Sequence, residues 1–146
     1  IKQSELQKFP LPNGGGTIEI IAGTYNSVNG SATTFSPIEM YNARLNKDAD
    51  VNFSFPANYN TAFIVIEGKV KINNTEIANA DQLIHFKNEG EEISLLAEEN
   101  SVVLILSGQP INEPIAQYGP FLMNTPEEIQ QAIADYNHGK FGYLEE

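Results

Sequence analysis

The chain has no cysteine in 146 residues. That absence removes disulfides, thiolate zinc sites and a cysteine nucleophile together. It fits a reducing cytoplasm, which is the compartment expected here. Basic residues are also scarce, with 8 Lys plus Arg against 19 Asp plus Glu and a net charge of −11. Such a surface repels phosphate backbones and anionic headgroups, so nucleic acid and membrane are not expected as direct partners. No apolar run approaches the roughly 20 residues of a membrane-spanning helix, and no signal peptide is read at the start. There is no Ser-His-Asp pattern, phosphate loop or Gly-x-Gly-x-x-Gly, and no internal repeat. The first residue is Ile1 rather than Met, which reads as a piece of something longer.

What the chain does have is a central apolar stretch, Thr61 to Asn73. Ala62 to Ile66 is continuously apolar and reads as a strand buried on both faces or crossing the inside of a barrel. Val70 and Ile72 then alternate with Lys69, Lys71 and Asn73, the pattern of a half-buried strand. Between them, Glu67-Gly68 allows the backbone to bend or bulge. Buried strand, glycine corner and half-buried strand together describe a chain passing from one sheet to another. At 146 residues there is room for one domain that buries about two-thirds of its unfolded surface.

Strands are expected on both sides of this stretch. Ile1 to Pro12 reads as a polar lead-in, and Thr17 to Ala22 as a strand after the Asn13-Gly14-Gly15-Gly16 turn. Gly23 to Ser36 reads as a loop anchored by Tyr25 and Phe35. Ile38 to Leu45 and Val51 to Phe55 alternate as strands, the second with Val51, Phe53 and Phe55 on one face. Short strands follow at Glu76-Ile77, Gln82 to Phe86, Ile93 to Ala97 and Val102 to Leu106. Many short strands with regular turns indicate an all-β sandwich or barrel.

After Ser107 the pattern changes. Pro110, Pro114 and Pro120 break any ladder, so Gln109 to Asn124 reads as an extended arm. Thr125-Pro126-Glu127-Glu128 is a helix start, with Thr as cap, Pro at the first helical position and Glu128 closing a capping box. Ile129, Ala132, Ile133 and Tyr136 form its apolar stripe, and Asn137-His138-Gly139 ends it.

Few residues suggest chemistry. His85 lies in a strand and could serve a metal or act as a base inside a barrel, yet no second strand histidine accompanies it. A half-exposed strand histidine is the simpler reading. His138 suits the C-terminal end of a helix. Asp48 and Asp50, Glu89, Glu91 and Glu92, and Glu98 and Glu99 all fall in turns without calcium-loop spacing, and read as solvated carboxylates. Glu67 at the glycine corner reads as a turn residue before a buried acid. From chemistry alone no active site is visible.

The C-terminal third carries a more specific signal. Gly108-Gln109-Pro110-Ile111-Asn112-Glu113-Pro114 is followed by Gln117-Tyr118-Gly119-Pro120-Phe121-Leu122-Met123-Asn124-Thr125, then by a helix and Gly139-Lys140-Phe141-Gly142. This combination resembles the end of pirin-family proteins. Ile21-Ala22-Gly23 and Phe63 to Gly68 are similar to the second barrel of a pirin. The resemblance thus spans essentially the whole chain but only the second half of a two-barrel cupin. It implies a cupin fold, a double-stranded β-helix or jelly-roll barrel over 1–108, with an extended arm and one C-terminal α-helix over 109–146.

In that family, the resemblance implies, metal is held by the first cupin through a His-x-His pair and a later His-x-Glu pair. Laid on this chain, the early pair falls near Ser54 and Pro56 and the later pair near Ile93 and Leu95. Iron needs imidazole and carboxylate ligands, so no metal is expected in this chain and no catalytic residue is assigned. Iron or another divalent metal is implied for a missing N-terminal cupin. The family's quercetin 2,3-dioxygenase-like activity and transcriptional co-regulation would belong to the intact protein. The expected role here is structural, with Tyr118, Phe121, Leu122, Met123, Ile129, Ile133 and Tyr136 as an interaction surface for the missing cupin or for self-association through the arm; the alternative for this segment is that arm and helix pack on their own barrel. The alternative is a stand-alone small-molecule-binding cupin whose interior is lined by Phe53, Phe55, Tyr59, Phe63 and His85.

Overall fold

In a computed structural model of the chain, residues 2–143 are described. The chain divides into two compact units, Ile1–Pro110 and Ile111–Glu146. In chain order the strands of the first are β1 (Gln7–Pro10), β2 (Gly16–Ala22), β3 (Thr24–Tyr25), β4 (Val28–Asn29), β5 (Ile38–Leu45), β6 (Asp50–Ser54), β7 (Asn60–Glu67), β8 (Lys69–Ile72), β9 (Glu76–Asn79), β10 (Gln82–His85), β11 (Glu92–Ala97) and β12 (Ser101–Gly108). They build a six-stranded sheet, in the order β1-β2-β5-β12-β7-β10, and a four-stranded sheet, in the order β6-β11-β8-β9. Both sheets are antiparallel throughout.

One core joins the inner faces of the two sheets. The six-stranded sheet contributes Ile18, Ile20, Tyr41, Ala43, Phe63, Val65, Val103 and Ile105; the four-stranded sheet contributes Val51, Phe53, Val70, Ile72, Ile93 and Leu95. Each follows the two-residue period of a strand with one face inward. Val51, Phe53 and Phe55 bury one face, at 3%, 1% and 5% exposure, as their alternation requires.

The glycine corner works as the sequence implies. β7 belongs to the six-stranded sheet and β8 to the four-stranded one, and Gly68 between them has φ +80°. A Cβ there would collide with the Asn100 carbonyl and the Ser101 hydroxyl. The β7–β12 register also slips between Val102 and Val103, opposite this corner.

Several expectations need correction. Ala62 to Ile66 is not buried on both faces: Phe63 and Val65 are fully inward, Ala62 and Ile64 are half-buried outside, and Ile66 is 45% exposed. The run is continuous because both faces of β7 are apolar, not because both are covered. The lead-in holds β1, whose four residues pair with β2, its half-buried Phe9 opposite Ile18 and its Lys8 opposite Glu19. The loop after Gly23 contains the β3–β4 hairpin, turned by Asn26 and Ser27, both at positive φ. Tyr25 does anchor that loop, packing edge-on against Phe9 and Tyr41, but Phe35 is wholly exposed.

In the second unit the arm is not wholly extended. Ala116–Tyr118 (β13) and Phe121–Met123 (β14) pair as a hairpin around Gly119-Pro120. The prolines flank these ladders or sit in the turn, which is how a proline-rich stretch can still pair. Helix α1 (Pro126–Asn137) starts with the full capping box: Thr125 accepts from the Glu128 N–H at 3.2 Å, and Glu128 accepts from the Thr125 N–H at 3.0 Å. Ile129 and Ala132 are buried, Ile133 is half-buried and Tyr136 is 62% exposed. His138 closes the last turn, its N–H donating to the Ala134 carbonyl at 3.0 Å, and Gly139 follows at φ +71°. Among the described residues no helix is long and apolar enough to cross a membrane.

Candidate functional site

The interior between the sheets is where a cupin would hold metal or ligand, and β5, β6, β7 and β12 aim side chains into it. The two-residue period of β6 places Phe53 and Phe55 side by side, rings 6.3 Å apart and within 6° of parallel. Phe63 on β7 meets Phe53 edge-on at 5.6 Å, and Phe86 meets Phe63 at 4.8 Å. Tyr41 on β5 stacks on both Phe53 and Phe55. Phe53, Phe63 and Tyr41 are each at most 2% exposed, so these rings fill the space rather than line it.

At the edge of this cluster lies a cleft of about 60 Å³, bordered by Phe55, Tyr59, Thr61, Phe86, Glu91 and Ile93. Small-molecule sites run to roughly 300–1,000 Å³. The cleft admits water, not a flavonol-sized ring system.

Of the five expected interior contacts, the structure brings four together. Phe53, Phe55 and Phe63 share the core cluster, and half-buried Tyr59 borders the cleft. His85 is displaced from it: it pairs with Ala62 on the outside of β10 and is exposed, while its neighbours Ile84 and Phe86 turn to the core. A strand alternates faces, so an inward Ile84 and Phe86 require an outward His85.

The positions expected to correspond to metal ligands offer no donor set. Ser54 and Pro56 are exposed, Ile93 is 8% exposed and Leu95 is fully buried. β6 and β11 are registered so that Phe53 faces Ile93 and Val51 faces Leu95. Among the described residues no three His, Cys, Asp or Glu are grouped to hold a metal ion. Divalent iron prefers imidazole and carboxylate, so these residues do not fit it.

Two polar features here escaped the sequence reading. The buried hydroxyls of Thr61 and Ser107 are 2.8 Å apart across β7 and β12. The Glu39 carboxylate receives the Tyr41 hydroxyl and the Thr24 N–H, the latter at 2.8 Å. Burial pushes the Tyr41 phenol well above its ordinary range and the neighbouring Glu39 charge adds to this, so it stays protonated and donates. The available signal was the i, i+2 spacing of Glu39 and Tyr41 on one strand face. Both donors go to the same Glu39 oxygen, Oε2, so the Tyr41 hydroxyl proton is held within the protein.

The C-terminal residues expected to form an interaction surface are divided. Tyr118, Leu122 and Tyr136 are 69%, 64% and 62% exposed; Phe121, Met123 and Ile133 are half-buried, and Ile129 is buried. Phe121 meets Tyr136 and Phe141 at 6.3 Å each, so part of this set packs within its own unit. The acidic clusters lie in turns and at strand ends, with Asp48, Asp50, Glu89, Glu91, Glu92 and Glu99 exposed and Glu98 paired with Lys69 at 3.1 Å. Glu67 is an exposed residue of the corner.

Comparison with known proteins places this geometry. The family described as the pirin C-terminal cupin domain matches residues 40–142. A crystal structure of quercetin 2,3-dioxygenase from Acinetobacter baumannii is 40% identical with a TM-score of 0.88, over 99% of this chain and 50% of that one. A Pseudomonas aeruginosa protein named "Putative quercetin 2,3-dioxygenase" is 32% identical over 94% of this chain and 48% of its own length. Human pirin is 29% identical over 94% of this chain and 49% of its own length. The chain therefore spans about half the length of the curated relatives it matches. With its two antiparallel sheets, its capped terminal helix and this match, the chain belongs to the pirin family as a C-terminal cupin domain.

Proposed function

We propose that this domain is the metal-free half of a pirin-like protein and serves to hold and support a metal-binding N-terminal cupin. The observation that carries this reading is the Phe53–Ile93 pairing, with Leu95 beside it, where ligands would have to stand. An interior packed with aromatic rings supplies rigidity and has no means of polarising a substrate or binding dioxygen. The intact protein would carry the chemistry, a metal-dependent dioxygenation of a flavonol such as quercetin or a co-regulatory role in transcription, in a reducing cytoplasm. Exposed Tyr118 and Leu122 and half-buried Phe121 of the C-terminal hairpin belong to the surface that meets the partner cupin.

Metal analysis of the purified 146-residue chain, beside a quercetin turnover assay on the same sample, tests the reading. Sub-stoichiometric metal and no turnover are expected. Stoichiometric bound iron would overturn it. Gel filtration of Phe121→Asp against the unaltered chain tests the hairpin: the unaltered chain should self-associate and the variant should shift towards monomer. An unaltered chain that is already a clean monomer counts against that surface.

A further inference from the structure

Two asparagines of the chain are followed by glycine, in Asn13-Gly14 and Asn29-Gly30. Asparagine is a thermolabile residue because the next backbone nitrogen can attack its side-chain amide. Glycine hinders that attack least, since it carries no Cβ beside the nitrogen. In a folded protein the attack also needs the asparagine ψ to rotate until the nitrogen faces Cγ. A segment held in a ladder or packed against its neighbours must open first, so the surrounding structure decides which step reacts.

The two steps differ in this respect. Asn29 belongs to β4, in register with Thr24, and its Oδ1 accepts from the Thr24 hydroxyl at 2.9 Å. Gly30 donates its N–H to the Gly23 carbonyl at 2.8 Å. It also lies against Ala22, whose backbone would sit 2.7 Å from an added Cβ. Both the attacking nitrogen and the amide it would attack are therefore held. Asn13 and Gly14 are exposed, in the turn between β1 and β2 rather than in a ladder, at φ +55° and +71°. The space around Gly14 is open, and Gly15 and Gly16 follow it. Here the carbonyl of the glycine is what the structure holds, through the Asn46 side-chain N–H at 2.7 Å.

We propose that Asn13 is a deamidation site of the folded protein, whereas Asn29 is shielded by its hairpin. The Gly14 nitrogen attacks Asn13 Cγ and forms a ring C–N bond. The bond from Cγ to the side-chain nitrogen breaks, and ammonia leaves with the proton of the Gly14 N–H. Water then opens the cyclic imide. Opening at Cγ gives aspartate; opening at the α-carbonyl gives isoaspartate, whose main chain runs through the former side chain and is one carbon longer. Water is the only co-reactant, and nothing is oxidised or reduced. Either product adds a carboxylate to the cleft that Asn13 borders together with Lys47, Asp48 and Asp50. The isoaspartyl form also lengthens a turn closed by the 2.9 Å bond from the Leu11 N–H to the Gly16 carbonyl and by the Pro10–Thr17 pair. β1 is an edge strand of four residues, so a misfitting turn weakens its hold on β2.

The test ages the 146-residue chain in mildly alkaline buffer, folded and in urea, and follows both sites by mass spectrometry. Cleavage after Glu5, Glu19 and Glu39 puts Asn13 and Asn29 in separate peptides. In the folded chain Asn13 should deamidate at least about tenfold faster than Asn29, and in urea the two rates should converge. An isoaspartyl carboxyl methyltransferase should label the Asn13 peptide of the aged folded chain. Asn13→Gln should remove both signals from that peptide. If that variant does not fold, Gly14→Ala keeps the asparagine, hinders the nitrogen and should slow both. The isoaspartyl fraction, separated by anion exchange, should melt below the unmodified chain. Equal rates at the two sites in the folded chain would overturn the proposal, and so would an Asn13 that reacts only in urea. Signals that persist at the original rate in either variant would overturn it too. An isoaspartyl fraction that melts with the unmodified chain would overturn the effect on β1.

Discussion

Ile93 stands directly opposite Phe53 across the β6–β11 ladder, at 8% and 1% exposure. Divalent metals take nitrogen and oxygen donors, and this pair supplies only carbon. The same pair is central to the core, because Phe53 also contacts Tyr25, Tyr41, Phe55 and Phe63. Phe53→Ala is expected to destabilise the chain by about 3–5 kcal/mol, measured by urea denaturation. Ligands that bind only the folded state raise its melting temperature. Ferrous iron or nickel should therefore leave the melting temperature of the unaltered chain where it was.

The Thr61–Ser107 hydroxyl pair predicts a non-additive cycle. Removing one partner leaves a buried hydroxyl unsatisfied, so Thr61→Val or Ser107→Ala should each cost about 1–3 kcal/mol. Removing both leaves nothing unsatisfied. The double variant should be less destabilised than the two single losses added together, by denaturant titration of all four proteins. Strict additivity would show that the two hydroxyls do not depend on each other.

Glu19 predicts a pH dependence. Burial pushes its carboxyl up, but hydrogen bonds from Asn42 and Lys8 and the charge and hydrogen bond of Arg44 outweigh burial and hold it below its ordinary value of 4.5. A depressed folded value means that Glu19 stabilises the fold above the ordinary value and loses that contribution as pH falls through the folded one. Stability measured by thermal melting from about pH 6 to pH 3 should therefore decline less steeply in Glu19→Gln than in the unaltered chain. A parallel decline would mean that other carboxylates dominate the acid limb.

Gly68 predicts a backbone effect. At φ +80°, with the Asn100 carbonyl and the Ser101 hydroxyl where a Cβ would go, Gly68→Ala meets both strain and collision. The cost should exceed about 1 kcal/mol, more than alanine incurs at an unstrained site. Gly90, also at positive φ but with open space around it, is the comparison: Gly90→Ala should cost less.

Periodicity made much of this fold legible. β5 spans Ile38–Leu45, as alternation alone indicates, and the Thr125–Glu128 capping box is fully formed. What periodicity could not show was pairing. β1 is too short and polar to announce itself, and only its contact with β2 makes it a strand. The β13–β14 hairpin hides among prolines that read as breakers. Phe35 reads as an anchor because aromatic residues usually pack, but it is wholly exposed. At the candidate site, inward-facing Phe53, Phe55 and Phe63 follow from strand parity, while His85 needed the inward placement of Ile84 and Phe86 to fix its face. Whether the interior is filled or hollow depends on ring geometry across strands, which no single strand encodes.

β12 is the last strand of the first unit in sequence, yet it lies between β5 and β7 in the six-stranded sheet. Its first and last pairs with β5, Ser101 with Leu45 and Gly108 with Ile38, span more than half of the unit. Closing such long loops before any contact repays the entropy makes the assembly of this sheet slow. Until residue 108 leaves the ribosome, β5 and β7 each present an unpaired edge, and sticky aliphatic side chains lie beside those edges. Synthesis of this domain therefore passes through an interval in which the nascent chain exposes two open strand edges, and a chain truncated between β10 and β12 should be less soluble than the whole domain.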